Sequence, residues 1–136
     1  ILYNTFRWQY LVTVLLLCTP ISAHAGENCL DHALTQAEMN ACAGEDRKNA
    51  ETELNKAYAA LQENISPEGK VMLRAARQAW EMYRKQQCEF NGLGSRAGSV
   101  HPVVMAECYA EFADAYAELL KKQLGCEEGV VSCGRQ

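Results

Sequence analysis

The placement of cysteine constrains this chain more than any other feature. Cys29 and Cys42 bracket what reads as the beginning of a helix, and Cys88 and Cys108 bracket a glycine-rich segment. Cys126 and Cys133 stand near the end, while a seventh cysteine, Cys18, falls inside an apolar run near the start. In a short chain, an even set of cysteines arranged this way is a disulfide framework, provided the compartment is oxidising.

The front of the chain supplies that condition. Arg7 precedes the apolar run Leu11 to Cys18, Pro20 breaks the run, and Ala23-His24-Ala25 has the small-x-small form of a cleavage site. That order predicts a secretory signal peptide over residues 1–25. The run is shorter than the roughly 20 apolar residues that a membrane span needs. A periplasmic or secreted protein is therefore expected, with no stable membrane insertion after cleavage. Lipid anchoring through Cys18 is the alternative, although Leu17 stands where such a site usually carries a small residue.

Residues 26–136 are enough for one small domain. Cleavage removes Arg7, leaving 12 basic side chains against 17 acidic ones, a net charge of −5. Such a surface argues against nucleic acid as a partner, because phosphates require a basic face. It suits a basic protein.

The mature part predicts three helices and no strand. Thr35-Gln36-Ala37-Glu38 is a capping box, in which the Thr35 hydroxyl and the Glu38 carboxylate each serve the other's backbone N–H. Met39, Cys42, Ala50, Leu54, Ala57, Tyr58 and Leu61 then recur mostly at steps of three or four, giving an amphipathic helix over about 36–64. Ser66-Pro67-Glu68 starts the second helix: Ser66 caps, Pro67 fits the first turn, and Glu68 favours the positive end. Its stripe is Leu73, Ala76, Trp80, Tyr83 and Gln87, with Leu73 and Trp80 as core anchors, ending near Cys88 or Phe90. Residues 91–99 hold three glycines and form a loop. Pro102 fits the third helix start, Gly125 fits its end, and Val104, Cys108, Phe112, Ala115 and Leu119 form its expected inner face. The expectation is an all-α, disulfide-braced three-helix domain, with the first two helices as an antiparallel hairpin because their connection is so short.

Six cysteines allow fifteen pairings. Proximity along the chain favours Cys29–Cys42, Cys88–Cys108 and Cys126–Cys133. The first would tie the lead segment along the helix start and the second would lock the base of the glycine loop. The third would close a C-terminal loop within about residues 121–136.

Catalytic and metal chemistry find no support. No CxxC pair occurs, and His32 and His101 lie far apart, so no metal site is expected. The cysteines are committed to bridges, and no activated nucleophile stands beside a base. Glu107, Glu111, Asp114 and Glu118 follow an exposed helical face rather than a paired-carboxylate site. Asn64-Ile65-Ser66 has the form of a glycosylation sequon, but Pro67 follows it directly. No catalytic residue and no cofactor is predicted. The candidate functional element is the loop from Glu89 to His101, where Glu89, Asn91, Arg96, Ser99 and His101 are the expected partner contacts. A clamped loop is pre-organised, which lowers the entropy cost of binding.

These residues together resemble the LprI-type lysozyme-inhibitor domain family. The resemblance rests on Cys29, Thr35, Glu38, Met39, Cys42-Ala43, Leu54-Asn55, Tyr58, Gln78 to Trp80, Cys88, Gly98-Ser99 and Cys108. It spans residues 29 to about 120. Arg84-Lys85 stands where the family often has Arg-Asp, and Ala113 and Tyr116 stand where it often has Thr and Arg. The resemblance implies an exported helical domain that binds and inhibits lysozyme or a related cell-wall hydrolase. The alternative is a cell-envelope interaction module, such as an immunity or assembly factor, without lysozyme inhibition.

Overall fold

The computed structural model describes residues 28–127 and 129–134; the expected signal peptide lies outside the described residues. The order is α1 (Cys29–His32), α2 (Gln36–Glu63), α3 (Pro67–Asn91), a 3-10 turn (Leu93–Ser95) and α4 (His101–Leu124). The lead segment, expected to be irregular, contains the single turn α1. Asn28 caps it by accepting from the Leu30 N–H at 3.2 Å.

Local chemistry sets the helix starts. The Thr35 hydroxyl accepts from the Glu38 N–H at 3.2 Å. The Glu38 carboxylate in turn accepts from Thr35 N–H at 2.9 Å and Leu34 N–H at 2.8 Å. These bonds satisfy donors that a helix start leaves orphaned, and they hold the Glu38 carboxyl below its usual range. At α3 the Ser66 hydroxyl accepts from Gly69 N–H at 3.1 Å, with Pro67 in the first turn.

The antiparallel hairpin forms as expected. α2 and α3 do run antiparallel, as the pairs Arg77 with Asn55 and Arg84 with Glu51 require. The closest helix pair, however, is α2 with α4. Side-chain size is the reason. Along α2, Ala43, Arg47, Ala50, Leu54, Ala57 and Leu61 alternate steps of four and three, and on α4 so do Val103, Ala106, Ala110, Ala113, Ala117, Leu120 and Leu124. This is a heptad seam, and its alanines let two backbones approach closely. A short turn between α2 and α3 makes them neighbours without making them the tightest pair.

α2 and α4 run in the same direction: Gln36 meets Ser99 at one end, and Arg47 meets Tyr109 further along. α3 returns alongside them, antiparallel to α4, through Cys88 with Cys108, Tyr83 with Phe112 and Trp80 with Tyr116. The core is Ala50, Leu54, Ala57, Leu61, Ala113, Ala117 and Leu120, with Leu73, Trp80 and Tyr116 packed against it, half-buried.

The inner face of α4 differs from expectation. Val103, Cys108, Ala113, Ala117 and Leu120 are buried, whereas Ala115 and Leu119 are exposed and Val104 and Phe112 half-buried. The larger side chains had drawn the stripe about one position off the alanine seam. α3 buries a single residue completely, Cys88. It stands off from the seam and covers it with long side chains.

Candidate interaction surface

One end of the bundle gathers both bridges and the loop. Cys29 is bonded to Cys42 with a Cα–Cα distance of 5.5 Å, and Cys88 to Cys108 at 5.8 Å. The first bridge holds α1 against α2. The second fastens the last turn of α3 to the second turn of α4, so the chain between them is a closed ring.

Within that ring the backbone folds as successive tight turns. Ser95 N–H donates to Gly92 O at 3.1 Å, Gly98 N–H to Ser95 O at 2.8 Å, and His101 N–H to Gly98 O at 3.1 Å. Gly92 is required by space rather than by backbone angle. A Cβ there would lie 2.8 Å from Met105 Sδ, 3.0 Å from His101 Cε1 and 3.2 Å from the Cys88 carbonyl oxygen. The loop is thus packed onto the start of α4, not draped over it.

The five predicted contact residues divide into two groups. Asn91 ends α3; its amide faces the Cys108 sulfur at 3.7 Å and accepts from Gln87 at 2.9 Å. The Ser99 hydroxyl donates to Gln36 Oε1 at 3.2 Å, pinning the loop to the first residue of α2. The Ser95 hydroxyl lies 2.9 Å from both Gly92 O and His101 Nδ1, which ties the loop to the first residue of α4. Asn91, Ser99 and His101 therefore brace the loop. Asn91 and Ser99 are nevertheless exposed, as are Glu89 and Arg96, and Glu89 lies 4.0 Å from Lys85. Sequence reasoning missed the apolar part of this surface, Leu93 and Val100, both exposed. The available signal was two large apolar residues inside a glycine-serine loop.

A second feature was also missed. The Arg84 guanidinium lies 4.7 Å from the Tyr109 ring centroid and 4.5 Å from that of Trp80, and Arg47 covers Tyr109 at 4.3 Å. Glu51 Oε1 accepts from Arg47 at 3.1 Å and from Arg84 at 3.3 Å. Removal from water pulls the Arg84 pKa below the usual arginine range, and Glu51 opposes that pull. Trp80 also stacks on Tyr116, with centroids 4.6 Å apart. Arginine stacks on aromatic faces where lysine cannot, so this column suits a joint between α2, α3 and α4. Its signal was an arginine, Arg47, standing at a seam position of the heptad.

Near the other end, α3 and α4 leave an open groove of about 430 Å³, lined mainly by Leu61, Ile65, Met72, Leu73, Leu119 and Leu120. The C-terminal tail folds back beside it, with Gly134 N–H donating to Gln123 Oε1 at 2.8 Å. Cys133 is buried and Cys126 half-buried in this tail. Among the described residues, no group of His, Cys, Asp and Glu is arranged to hold a metal ion. No described helix is long and apolar enough to cross a membrane.

Fold and surface together define a small disulfide-braced helical domain that carries a stiffened loop at one end. The chain belongs to the LprI family: residues 28–120 match the family described as Lysozyme inhibitor LprI. It is also 33% identical over 131 residues to an uncharacterized protein of Rhizobium meliloti (strain 1021), covering 86% of this chain and 94% of that protein. No solved structure matches the chain.

Proposed function

We propose that this protein is an exported, non-enzymatic inhibitor of lysozyme or a related cell-wall hydrolase, and that the ring between Cys88 and Cys108 is the part that enters the enzyme. Family membership supports the partner class. The observation that carries the loop assignment is its bracing: a bridge at its base, Ser99 bonded to Gln36, and His101 bonded to Ser95. A loop already held in one conformation loses little entropy on docking. Leu93 and Val100 supply apolar contact, while Arg96 and Glu89 supply polar contact around them. The net negative charge of the chain favours encounter with a basic enzyme, an effect that salt screens.

Residual lysozyme activity measured with excess protein tests this reading. Inhibition is expected, weaker at high salt than at low salt. Arg96→Ala and Leu93→Asp are each expected to weaken inhibition while leaving helicity unchanged. No inhibition of any lysozyme class or of other cell-wall hydrolases would overturn the reading, and recovery of a single partner that is not a wall hydrolase from a periplasmic pulldown would favour an envelope interaction module instead.

The same reading includes cleavage of residues 1–25 and a third bridge between Cys126 and Cys133. Intact-mass and peptide mapping of exported material is expected to find a mature chain starting near Gly26 with all six of its cysteines bonded. A mature chain that retains Cys18 with an added lipid mass would replace soluble export with anchoring.

A further inference from the structure

α3 has an apolar face that the domain covers only in part, at the edge-on contact of Tyr83 with Phe112. Met72, Ala75, Ala76, Ala79, Met82, Tyr83, Gln86 and Phe90 follow one another at helical steps, with no charged residue among them. All are exposed. Met82 is 70% exposed, Met72 and Phe90 67% each, and Val71 and Tyr83 57% each. Leu119 of α4, 55% exposed, lies beside the stripe at the groove that Met72 also lines. The arginines Arg77 and Arg84 lie off the stripe, Arg77 turning to Asn55 and Glu81 and Arg84 to Glu51, while Glu68 and Glu89 stand at its two ends.

Val71, Met72, Met82, Tyr83, Phe90 and Leu119 leave roughly 700 Å² of largely apolar surface in water, more than the largest patch of an ordinary monomer. That area is close to the ~800 Å² each partner contributes to a standard interface. Size varies along the stripe in a self-complementary way. Val71 and Met72 stand at one end, Met82, Tyr83 and Phe90 at the other, and Ala75 and Ala79 between them.

We infer that α3 packs antiparallel on α3 of a second copy of this chain, about a two-fold axis midway between Ala79 and Met82. A two-fold contact uses the same patch on both subunits, so each large end meets the other's small centre or opposite end. Met82 of one copy then lies on Ala79 of the other, and Phe90 reaches Val71 and Met72 at the mouth of the 430 Å³ groove. Leu93, Arg96 and Val100 lie beyond the end of α3 and remain free in this arrangement, whereas Glu89, on α3 itself, stands at its edge.

Molar mass measured by light scattering and sedimentation over about 1 μM to 1 mM tests the assignment without reference to lysozyme. Twice the chain mass is expected at the upper end, falling to the chain mass on dilution. Met82→Asp and Phe90→Asp are each expected to raise the dimer dissociation constant at least about tenfold. Both are exposed, so helicity and melting at low concentration are expected to stay as in the unaltered chain. Lys85→Ala, off the stripe, is expected to leave the dimer intact. A chain that is monomeric throughout, or a dimer that survives both aspartates, overturns the inference. So does a monomer that uses this face to hold lysozyme.

Discussion

The Arg84 guanidinium donates to Glu51 Oε1 across 3.3 Å, joining α3 to α2 over 33 residues of chain. The Arg84 side chain is only 12% exposed and lies on both Trp80 and Tyr109. α3 meets the alanine seam with few buried residues of its own, so this contact carries much of its attachment.

Arg84→Ala is therefore expected to destabilise the domain by about 2–4 kcal/mol, because it removes the packed stem as well as the charge. Arg84→Lys is expected to recover little, since an ammonium cannot lie flat on two rings. Urea titration measures both. A loss below about 0.5 kcal/mol for Arg84→Ala would place α3's attachment elsewhere.

Reduction of the bridges should lower the melting temperature by more than about ten degrees in a domain of this size. The two defined bridges should contribute unequally. Cys88–Cys108 closes 20 residues and ties down a helix with no other fully buried residue, whereas Cys29–Cys42 closes 13 and ties down one turn. Replacing the first pair by serine is expected to cost more than replacing the second. Equal melts for the two double variants would contradict this order.

Filling the seam should hurt where filling the outer face does not. Ala113→Leu inserts a larger side chain at a fully buried position and is expected to cost about 1–3 kcal/mol. Ala115→Leu, exposed two residues on, is expected to change stability by less than about 0.5 kcal/mol. The reverse ranking would restore the inner face first read from the sequence.

Gly92→Ala places a methyl group against Met105, His101 and the Cys88 carbonyl oxygen. The Met105 side chain can turn aside, but the Cys88 carbonyl oxygen at 3.2 Å must give by a few tenths of an ångström. A loss of about 1–3 kcal/mol is expected, together with shifted amide resonances for Ser95 and His101. Unchanged resonances at both would mean that the loop is not packed on α4.

Glu38 links pH to the start of α2. Bonds from the Leu34 and Thr35 backbone hold its carboxyl below the usual glutamate range in the folded state. Its contribution is complete above the unfolded value and disappears as pH falls through the lowered folded one. Faster amide exchange at Leu34 and Thr35 is expected below about pH 4, after correction for intrinsic rates. Glu38→Gln, which keeps an acceptor but cannot titrate, should remove that pH dependence.

Much of the frame was legible because its signals are local. The Thr35–Glu38 box, the Ser66-Pro67 start and the glycines after Asn91 each act within a few residues of chain. Leu54 and Leu61 declared one face of α2 for the same reason. The inner face of α4 was not legible from size alone, since Phe112 and Leu119 look more like core than Ala113 and Ala117 do. Helix pairing was also hidden: connection length speaks for α2 with α3, while the alanine repeat on α2 and α4 speaks for the pair that forms. Of the loop residues, Ser99 and His101 drew attention as polar groups in a loop, but whether such groups point outward or brace the loop depends on neighbours distant in sequence, such as Gln36.

The alanine seam has a kinetic consequence. Its two halves, around Leu54 and Ala117, are separated by roughly sixty residues, so the best-packed pair depends on closing a long span of chain. During N-terminus-first delivery, the greasy side of α2 stays uncovered until the final helix arrives. Early oxidation of Cys88 with Cys108 shortens the search by delivering α3 and α4 as one preassembled piece.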